Sequence, residues 1–448
     1  MTGSASRANH YTADAIVVGA GPAGSSAATH LARAGLEVIV LEKSAFPRDK
    51  VCGDALTPRA VHELQLLGYD TSAAGLPGWH RNRGLRLIGG GHRLEIDWPQ
   101  VSGMPDFGLT NPRMRLDEDL ARHARAQGAR IFEQVMATDP IIGADGWVEG
   151  VHATGTDHRG RKVGPEAVFR APVVIAADGV SSRMAVRLGL TKRDDRPMGV
   201  AVRTYYETPR HADPYIESWL ELRPRDEKTG RLGDAMPGYG WLFPLGDGTV
   251  NVGLGMLDTS PMFGKTDYKA VLRDWIDAMG DEWGIAPGRE LDTVRSAALP
   301  MAFNRTPHHH RGVLLVGDSG GMVNPFNGEG IDYALEAGRL AAEVVATHHR
   351  YPRAARRATY DRYPELVRSS MGSYFTLGRA FAQVIGRPEL MELGVKYGMG
   401  STTLMTFVVK LLANLYQDRT AGDRDVYDRL ISALNTLVPA TDNTGHHA

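Results

Sequence analysis

The sequence predicts an α/β protein: a Rossmann-type, discontinuous nucleotide-binding domain, an inserted mixed β-sheet domain and a helical C-terminal region. Three observations predict it. The apolar run at residues 13–18 leads into the glycine turn Gly19-Ala20-Gly21-Pro22-Ala23-Gly24. Two later apolar runs, 171–177 and 312–316, end in an Asp-Gly and a Gly-Asp turn. Between these runs, residues 196–300 are rich in Trp, Tyr and Phe and alternate in places like sheet, as at 249–255.

Taken in order, residues 13–18 read as a buried strand, and the Ala-rich run 25–34 reads as a helix ended by Gly35. Residues 38–41 (VIVL) make a second strand with Glu42 at its end, eighteen residues past Gly24. Each piece has a physical task in binding a dinucleotide: Gly19 permits the tight turn, Gly21 lets backbone approach a pyrophosphate, and Gly24 allows close helix–strand packing. The helix N-terminus supplies N–H groups and a positive dipole, and Glu42 would accept from a ribose hydroxyl. Residues 116–127 then read as a helix closed by Gly128, and 129–135 as a strand. The strand at 171–177 ends in Asp178-Gly179, and the strand at 312–316 ends in Gly317-Asp318, followed by a glycine-rich loop and a helix to about residue 348. Taken singly, each of these aspartates is an ordinary turn or capping residue.

Length and composition set the outer bounds. A chain of 448 residues holds two or three packed units, or one large domain with insertions. With 51 Lys+Arg against 52 Asp+Glu, the net charge of −1 gives no general pull toward nucleic acid. The single cysteine, Cys52, excludes an intrachain disulfide and a Cys-rich metal cluster, and points to a reducing, cytoplasmic setting. Residues 1–11 read as a loose polar tail, and no apolar run is long enough to span a membrane. The apolar run 404–416 is interrupted by Lys410 and Asn414; it reads as a buried helix, or as one lying at a membrane interface or cavity entrance. Six arginines within 350–368 read as a solvated basic helix face, and His308-His309-His310 as a loop rather than a metal site.

Four segments together resemble the FAD-dependent geranylgeranyl reductase family, which includes menaquinone side-chain reductases, within the larger class of aromatic-hydroxylase-like flavoproteins. They are the Gly19 to Gly24 turn with Glu42, the run Phe46-Pro47-Arg48-Asp49-Lys50-Val51-Cys52-Gly53-Asp54, the run Tyr239-Gly240-Trp241-Leu242-Phe243-Pro244 continued to Gly255, and Gly317 to Ile331. The resemblance implies an FAD-binding domain at 12–78, 108–195 and 295–348, a substrate domain at 79–107 and 196–294, and a helical region at 349–448. It assigns non-covalent FAD to Gly19, Gly21, Ala23, Gly24, Glu42, Lys43 and Gly53, and to Arg113 and a backbone contact at Val135. It adds Asp178 and Gly179, the ribityl contact Asp318, and Gly328, Gly330 and Ile331 beside the isoalloxazine. Tyr239, Trp241, Phe243 and Pro244 would line a prenyl cavity. No metal is implied.

The function implied is saturation of carbon–carbon double bonds in a prenyl chain by hydride from reduced flavin. An isolated alkene has no carbonyl to polarise it, so a proton must reach the other carbon in a dry, well-ordered cavity. Cys52 is the candidate catalytic residue, as proton donor or gate; a small apolar filler is its other reading. The electron donor is left open between NAD(P)H and ferredoxin. Expected partners are a prenyl lipid, a peripheral contact with the inner face of the cell membrane and an electron-donor protein. The alternative is an NAD(P)H-dependent aromatic monooxygenase on the same fold. A flavin halogenase is disfavoured because no Lys lies between Lys50 and Lys162. A catalytically inert lipid-binding flavoprotein would keep the cavity without turnover.

Overall fold

The architecture was read from a computed structural model that describes residues 9–225, 228–233, 236, 238–259, 263–385, 387–416 and 426–442. Among the described residues the strands form four sheets. The six-stranded sheet runs His309–His310, Val313–Leu315, Val174–Ala176, Ala15–Val18, Val38–Leu41, Arg130–Phe132, parallel except at its first member. Its central strands are wholly apolar and buried on both faces, as a parallel sheet covered by helices requires. The helix Pro22–Arg33 covers one face, opened by Pro22 in its first turn and followed by Gly35 at a φ of 84°. It packs against the long helix Ile331–His348 at close range: a Cβ on Gly338 would lie 2.3 Å from the Ala23 carbonyl.

The seven-stranded sheet is mixed. Its order is Arg295–Pro300, Met198–Glu207, Thr249–Leu257, Gly238–Pro244, Tyr215–Trp219, Gly84–Gly89, His92–Asp97, with Tyr215–Trp219 and Gly84–Gly89 parallel. Its two faces differ. The helix Tyr268–Trp283 packs on one through Trp275, Ile276 and Met279, while Trp241 and Phe243 on the other cluster with Val395, Met399, Met405 and Val409. The helices Ser373–Ile385, Pro388–Gly398, Thr402–Leu412 and Val426–Leu437 complete the C-terminal region.

Several local expectations change. Residues 1–8 of the expected tail lie outside the described residues, and Asn9–Thr12 form a strand paired with Lys162–Arg170. The strand expected at 129–135 is two strands. Arg130–Phe132 stays in the parallel sheet, Gln134 breaks the chain at a φ of 55°, and Val135–Ile142 leaves to pair with Val148–Thr156. The basic run divides into the short helices Arg353–Thr359 and Arg362–Val367, and Arg353 and Arg357 are paired with Asp145. His309 and His310 form a short edge strand, with His309 Nδ1 2.6 Å from Asp361. Lys410 is buried in an ion pair with Asp428 at 2.9 Å, and Asn414 donates to the Tyr333 hydroxyl. The two polar interruptions of the apolar run 404–416 are therefore satisfied inside the protein. No helix among the described residues is long and apolar enough to cross a membrane.

Candidate functional site

The glycine turn follows Ala15–Val18 at its carboxyl end, where the chain has one parallel neighbour on each side, Val38–Leu41 and Val174–Ala176. That is the position where open α/β sheets hold ligands. Gly19 has a φ of 99°, and a Cβ there would meet the Ala177 carbonyl at 2.4 Å. A Cβ on Gly24 would fall 1.9 Å from the Gly19 carbonyl, so this glycine lets the helix press onto the turn. Gly21 differs. Its nearest neighbours would be Arg48 Nη2 at 3.7 Å and Asp117 Oδ2 at 3.9 Å, which leaves an open cradle at a helix N-terminus beneath a guanidinium. Those features fit a pyrophosphate.

Glu42 is more committed than its expected ribose role implies. It accepts from the N–H groups of Ala20 (2.9 Å) and Ser44 (3.0 Å) and from Arg48 (3.2 Å), three of a carboxylate's roughly four acceptor sites. Arg48 also donates to Asp117 (2.8 Å), and Lys50 donates to Asp318 (2.7 Å), the expected ribityl contact. The run 46–54 thus lays two cations across the crevice. Their roles as site residues were not drawn from the sequence, although both lie in a segment that carried the resemblance. Burial pushes the Asp117 and Asp318 acid constants up, but Arg113 and Arg48 on the first and Lys50 on the second outweigh it and hold both carboxyls below the usual range.

Arg113 turns its guanidinium onto Asp117 at 2.7 and 2.9 Å, and its backbone N–H donates to Asp54. The N–H of Val135 is taken by the Glu42 carbonyl at 2.9 Å. Asp178 accepts from Ser182 (2.6 Å) and from the Met184 N–H (3.1 Å), which orders the turn into the helix Arg183–Arg187 beside Gly179. Ala23, Lys43, Gly328, Gly330 and Ile331 all line the same cavity as these groups.

That cavity has a volume of about 1500 Å³. Small-molecule sites usually measure about 300–1,000 Å³, so this one has room for more than a single ligand. It continues from the glycine crevice past Cys52 and Gly53 to an apolar end walled by Trp241, Phe243, Leu87, Val395, Met405 and Val409. Tyr239, Trp241 and Phe243 share one face of their strand, as period two requires. Pro244 belongs to the other parity and stands outside the cavity wall, so its expected substrate contact is replaced by a structural one: its carbonyl accepts the Thr110 hydroxyl. On that opposite face Gly240 meets Trp275.

Cys52 is held in the cavity wall by its surroundings. Gly53 lets the loop press on Phe243, since a Cβ there would be 2.7 Å from the ring. Asn251 donates to the Cys52 carbonyl (2.9 Å) and to Asp54 (2.7 Å), and accepts from the Trp241 indole (2.8 Å). Asp54 also accepts from Tyr205 (2.7 Å) and sits at a φ of 66°, a conformation Asp tolerates better than most residues. Burial pushes the Asp54 acid constant up to about 6, against the hydrogen bonds from Asn251 and Tyr205. Asn251 was not foreseen. Its signal is the alternation Asn251, Gly253, Gly255 on one face of an otherwise apolar strand. Among the described residues no group of three or more His, Cys, Asp or Glu is placed to hold a metal.

Residues 12–365 match the family described as FAD binding domain. The chain is 38% identical over 414 residues to a menaquinone reductase of Mycobacterium tuberculosis, covering 92% of this chain and 93% of that protein. It is 30% identical over 370 residues to a digeranylgeranylglycerophospholipid reductase of Methanocella arvoryzae, covering 80% and 83%. Among solved structures, a geranylgeranyl bacteriochlorophyll reductase-like protein of Thermoplasma acidophilum has the same fold, with a TM-score of 0.71 at 20% identity, covering 95% of this chain and 100% of that one.

Proposed function

This chain belongs to the FAD-binding domain family and is an FAD-dependent oxidoreductase that acts on prenyl chains; from that premise we propose that it saturates double bonds in the isoprenoid side chain of a menaquinone. One observation carries the choice of substrate class: the glycine crevice and the apolar end are a single cavity, so a dinucleotide and a long hydrocarbon can lie end to end within it.

The residues present fit FAD. The open cradle at Gly21 and the cations Arg48 and Lys50 would hold the pyrophosphate, and Glu42 and Asp318 would face the ribose and ribityl hydroxyls. Gly53, Gly328 and Gly330 would leave room for the ring system. When bound, the flavin supplies a hydride to one alkene carbon. The protein's own part is to hold the alkene, exclude water and deliver a proton to the second carbon. Trp241 and Phe243 form the dry wall, and their π faces favour positive charge developing on the alkene. Cys52 is the proton donor in this reading, with its thiol in the wall and its backbone clamped by Asn251.

Lipid supply from a membrane surface is part of the proposal. Val384, Tyr397 and Leu404 line the cavity yet remain 50%, 68% and 45% exposed, so its apolar end opens to solvent through an apolar rim. The protein would then work at the inner face of the cell membrane, with NAD(P)H or a ferredoxin as electron donor.

The test is anaerobic. Protein loaded with FAD and reduced with dithionite is mixed with menaquinone, and the quinone is analysed by mass. Re-oxidation of the flavin with a gain of two mass units per saturated bond supports the reading; an unchanged side-chain mass overturns it. A long-lived hydroperoxide absorbance on mixing with oxygen would favour the monooxygenase instead.

A further inference from the structure

Next to the cavity lies a group of carboxyls with too few cations. Glu329 is in the loop before the helix Ile331–His348 and lines the cavity. Three hydrogen bonds fix this loop: Asn324 N–H to the Glu329 carbonyl, Glu329 N–H to Asn327 Oδ1, and the Tyr239 hydroxyl to the Asn327 carbonyl. Glu329 Oε1 accepts the Thr57 hydroxyl, while Oε2 is enclosed and has no hydrogen-bond partner among the described residues. One position into the helix, Asp332 is fully buried, and neither of its oxygens has a hydrogen-bond partner among the described residues.

Charge counting explains why this matters. On the helix Pro58–Leu66, Arg59 binds Glu336 and lies 3.2 Å from Asp332, and Glu63 is held by Arg339 at 2.8 and 3.0 Å. Glu336 is further bonded to Ser370. Four carboxyls, Glu63, Glu329, Asp332 and Glu336, therefore share two guanidinium groups. Full ionisation would leave two uncompensated negative charges in an enclosed space, which is costly. Arg59 and Ser370 hold the Glu336 carboxyl below its usual range against burial, and Glu63 takes both hydrogen bonds from Arg339. Protons therefore settle on Glu329 and Asp332. The other titratable groups facing them are phenols, Tyr239 from the sheet, Tyr333 from the same helix and Tyr374 from the helix Ser373–Ile385, and none adds positive charge. Burial pushes Glu329 up to about 7 and Asp332 well above the carboxylate range.

We propose that Glu329 and Asp332 form the proton store of the cavity, Glu329 passing its proton inward while Asp332 keeps its own and so holds the enclosed site neutral. This rests on the reductase reading above. In each turnover the alkene gains a hydride at one carbon and a proton at the other. The Cys52 S–H bond breaks as the C–H bond forms, and the thiolate regains its proton from the Glu329 carboxyl, beside the Tyr239 hydroxyl that faces both groups. Glu329 is then reprotonated from solvent through the cavity, while Asp332, which holds its proton more tightly, stays neutral. Glu329 is the cavity-facing group, and Asp332 acts through it as a positioning residue.

The experiment uses FAD-loaded protein, comparing wild type with Glu329→Gln and Asp332→Asn. In infrared spectra without substrate, wild type should show a carboxylic-acid C=O band that fades as pH rises through about 7 and is missing in Glu329→Gln. Steady-state reduction of menaquinone by wild type should fall above that pH; Glu329→Gln should be at least about tenfold slower and lose that fall, while Asp332→Asn should keep an acid band with a shifted midpoint. If Glu329→Gln fails to retain flavin, Glu329→Asp takes its place and should keep the band at a moved midpoint. A Glu329→Gln protein with wild-type rate and pH profile, or with the band intact, overturns the proposal. If wild type itself leaves the prenyl lipid unchanged, the reductase reading has failed, and the infrared band still decides where the proton sits.

Discussion

The indole N–H of Trp241 donates to Asn251 Oδ1 at 2.8 Å, and the amide of the same Asn251 holds the Cys52 carbonyl and the Asp54 carboxyl. One side chain therefore fixes the aromatic wall and the cysteine turn relative to each other. Because Asn251 is fully buried, neither end can turn to water when it is removed.

Asn251→Ala should therefore cost stability and positioning together. It orphans the Trp241 donor, takes the side-chain donor from the Cys52 carbonyl and leaves Asp54 with Tyr205, at about 1–3 kcal/mol for each buried group left unsatisfied. A melting temperature lowered by several degrees, with menaquinone reduction falling more than flavin content, is the expected pattern. Wild-type turnover in a folded variant would remove Asn251 from the account of the site.

Gly253 sits under the Trp241 ring, where a Cβ would come within 2.3 Å of the indole. The same Cβ would lie 2.5 Å from the Val202 carbonyl, so Gly253→Ala must shift both the ring and the strand, at a cost of at least about 1–3 kcal/mol for overpacking. Retained flavin with impaired use of the prenyl chain is expected. Absorbance and turnover measured on one preparation check it.

The last two glycines of the turn, Gly21 and Gly24, should separate binding from folding. Gly21→Val projects into the open cradle and should yield folded, colourless protein. Gly24→Val would collide with the Gly19 carbonyl, a Cβ lying 1.9 Å away, and should lower the yield of folded protein itself. Yellow Gly21→Val protein would contradict the cradle assignment.

Cys52→Ala should leave FAD bound while slowing alkene reduction at least about a hundredfold, the lower end of the range typical of lost acid catalysis. Unchanged turnover would mean that the proton reaches the alkene without the thiol.

Asp54 predicts a pH effect on stability. Its acid constant is raised from 3.8 to about 6 by burial, so the native state binds the proton more tightly than the unfolded chain. Its contribution is fully present below about pH 4 and is lost as pH rises through about 6, a change of about 3 kcal/mol at about 1.4 kcal/mol per unit. Asp54→Asn, which also tolerates the positive φ, should flatten that part of the curve of melting temperature against pH. An unaltered slope would place the titration elsewhere.

Much of the nucleotide crevice was legible in the sequence because its demands are local. Gly19, Gly24 and Glu42 follow from a turn, a helix contact and a strand end within thirty residues, and tight backbone geometry restricts which residues can occupy them. Period two alone put Tyr239, Trp241 and Phe243 on one face, and it should also have excluded Pro244 from that face. What the sequence determined by itself was thus a fold class, a cofactor class and one aromatic wall. Only the tertiary structure decided how the rest converge. Lys50 meets Asp318 across 268 residues, and Asn251 meets Cys52 across 199. The excess of acid around Glu329 and Asp332 exists only because the helices Pro58–Leu66 and Ile331–His348 bring their charges together out of water. Charge balance and desolvation are properties of an enclosed volume, and no stretch of sequence shows which residues will enclose it.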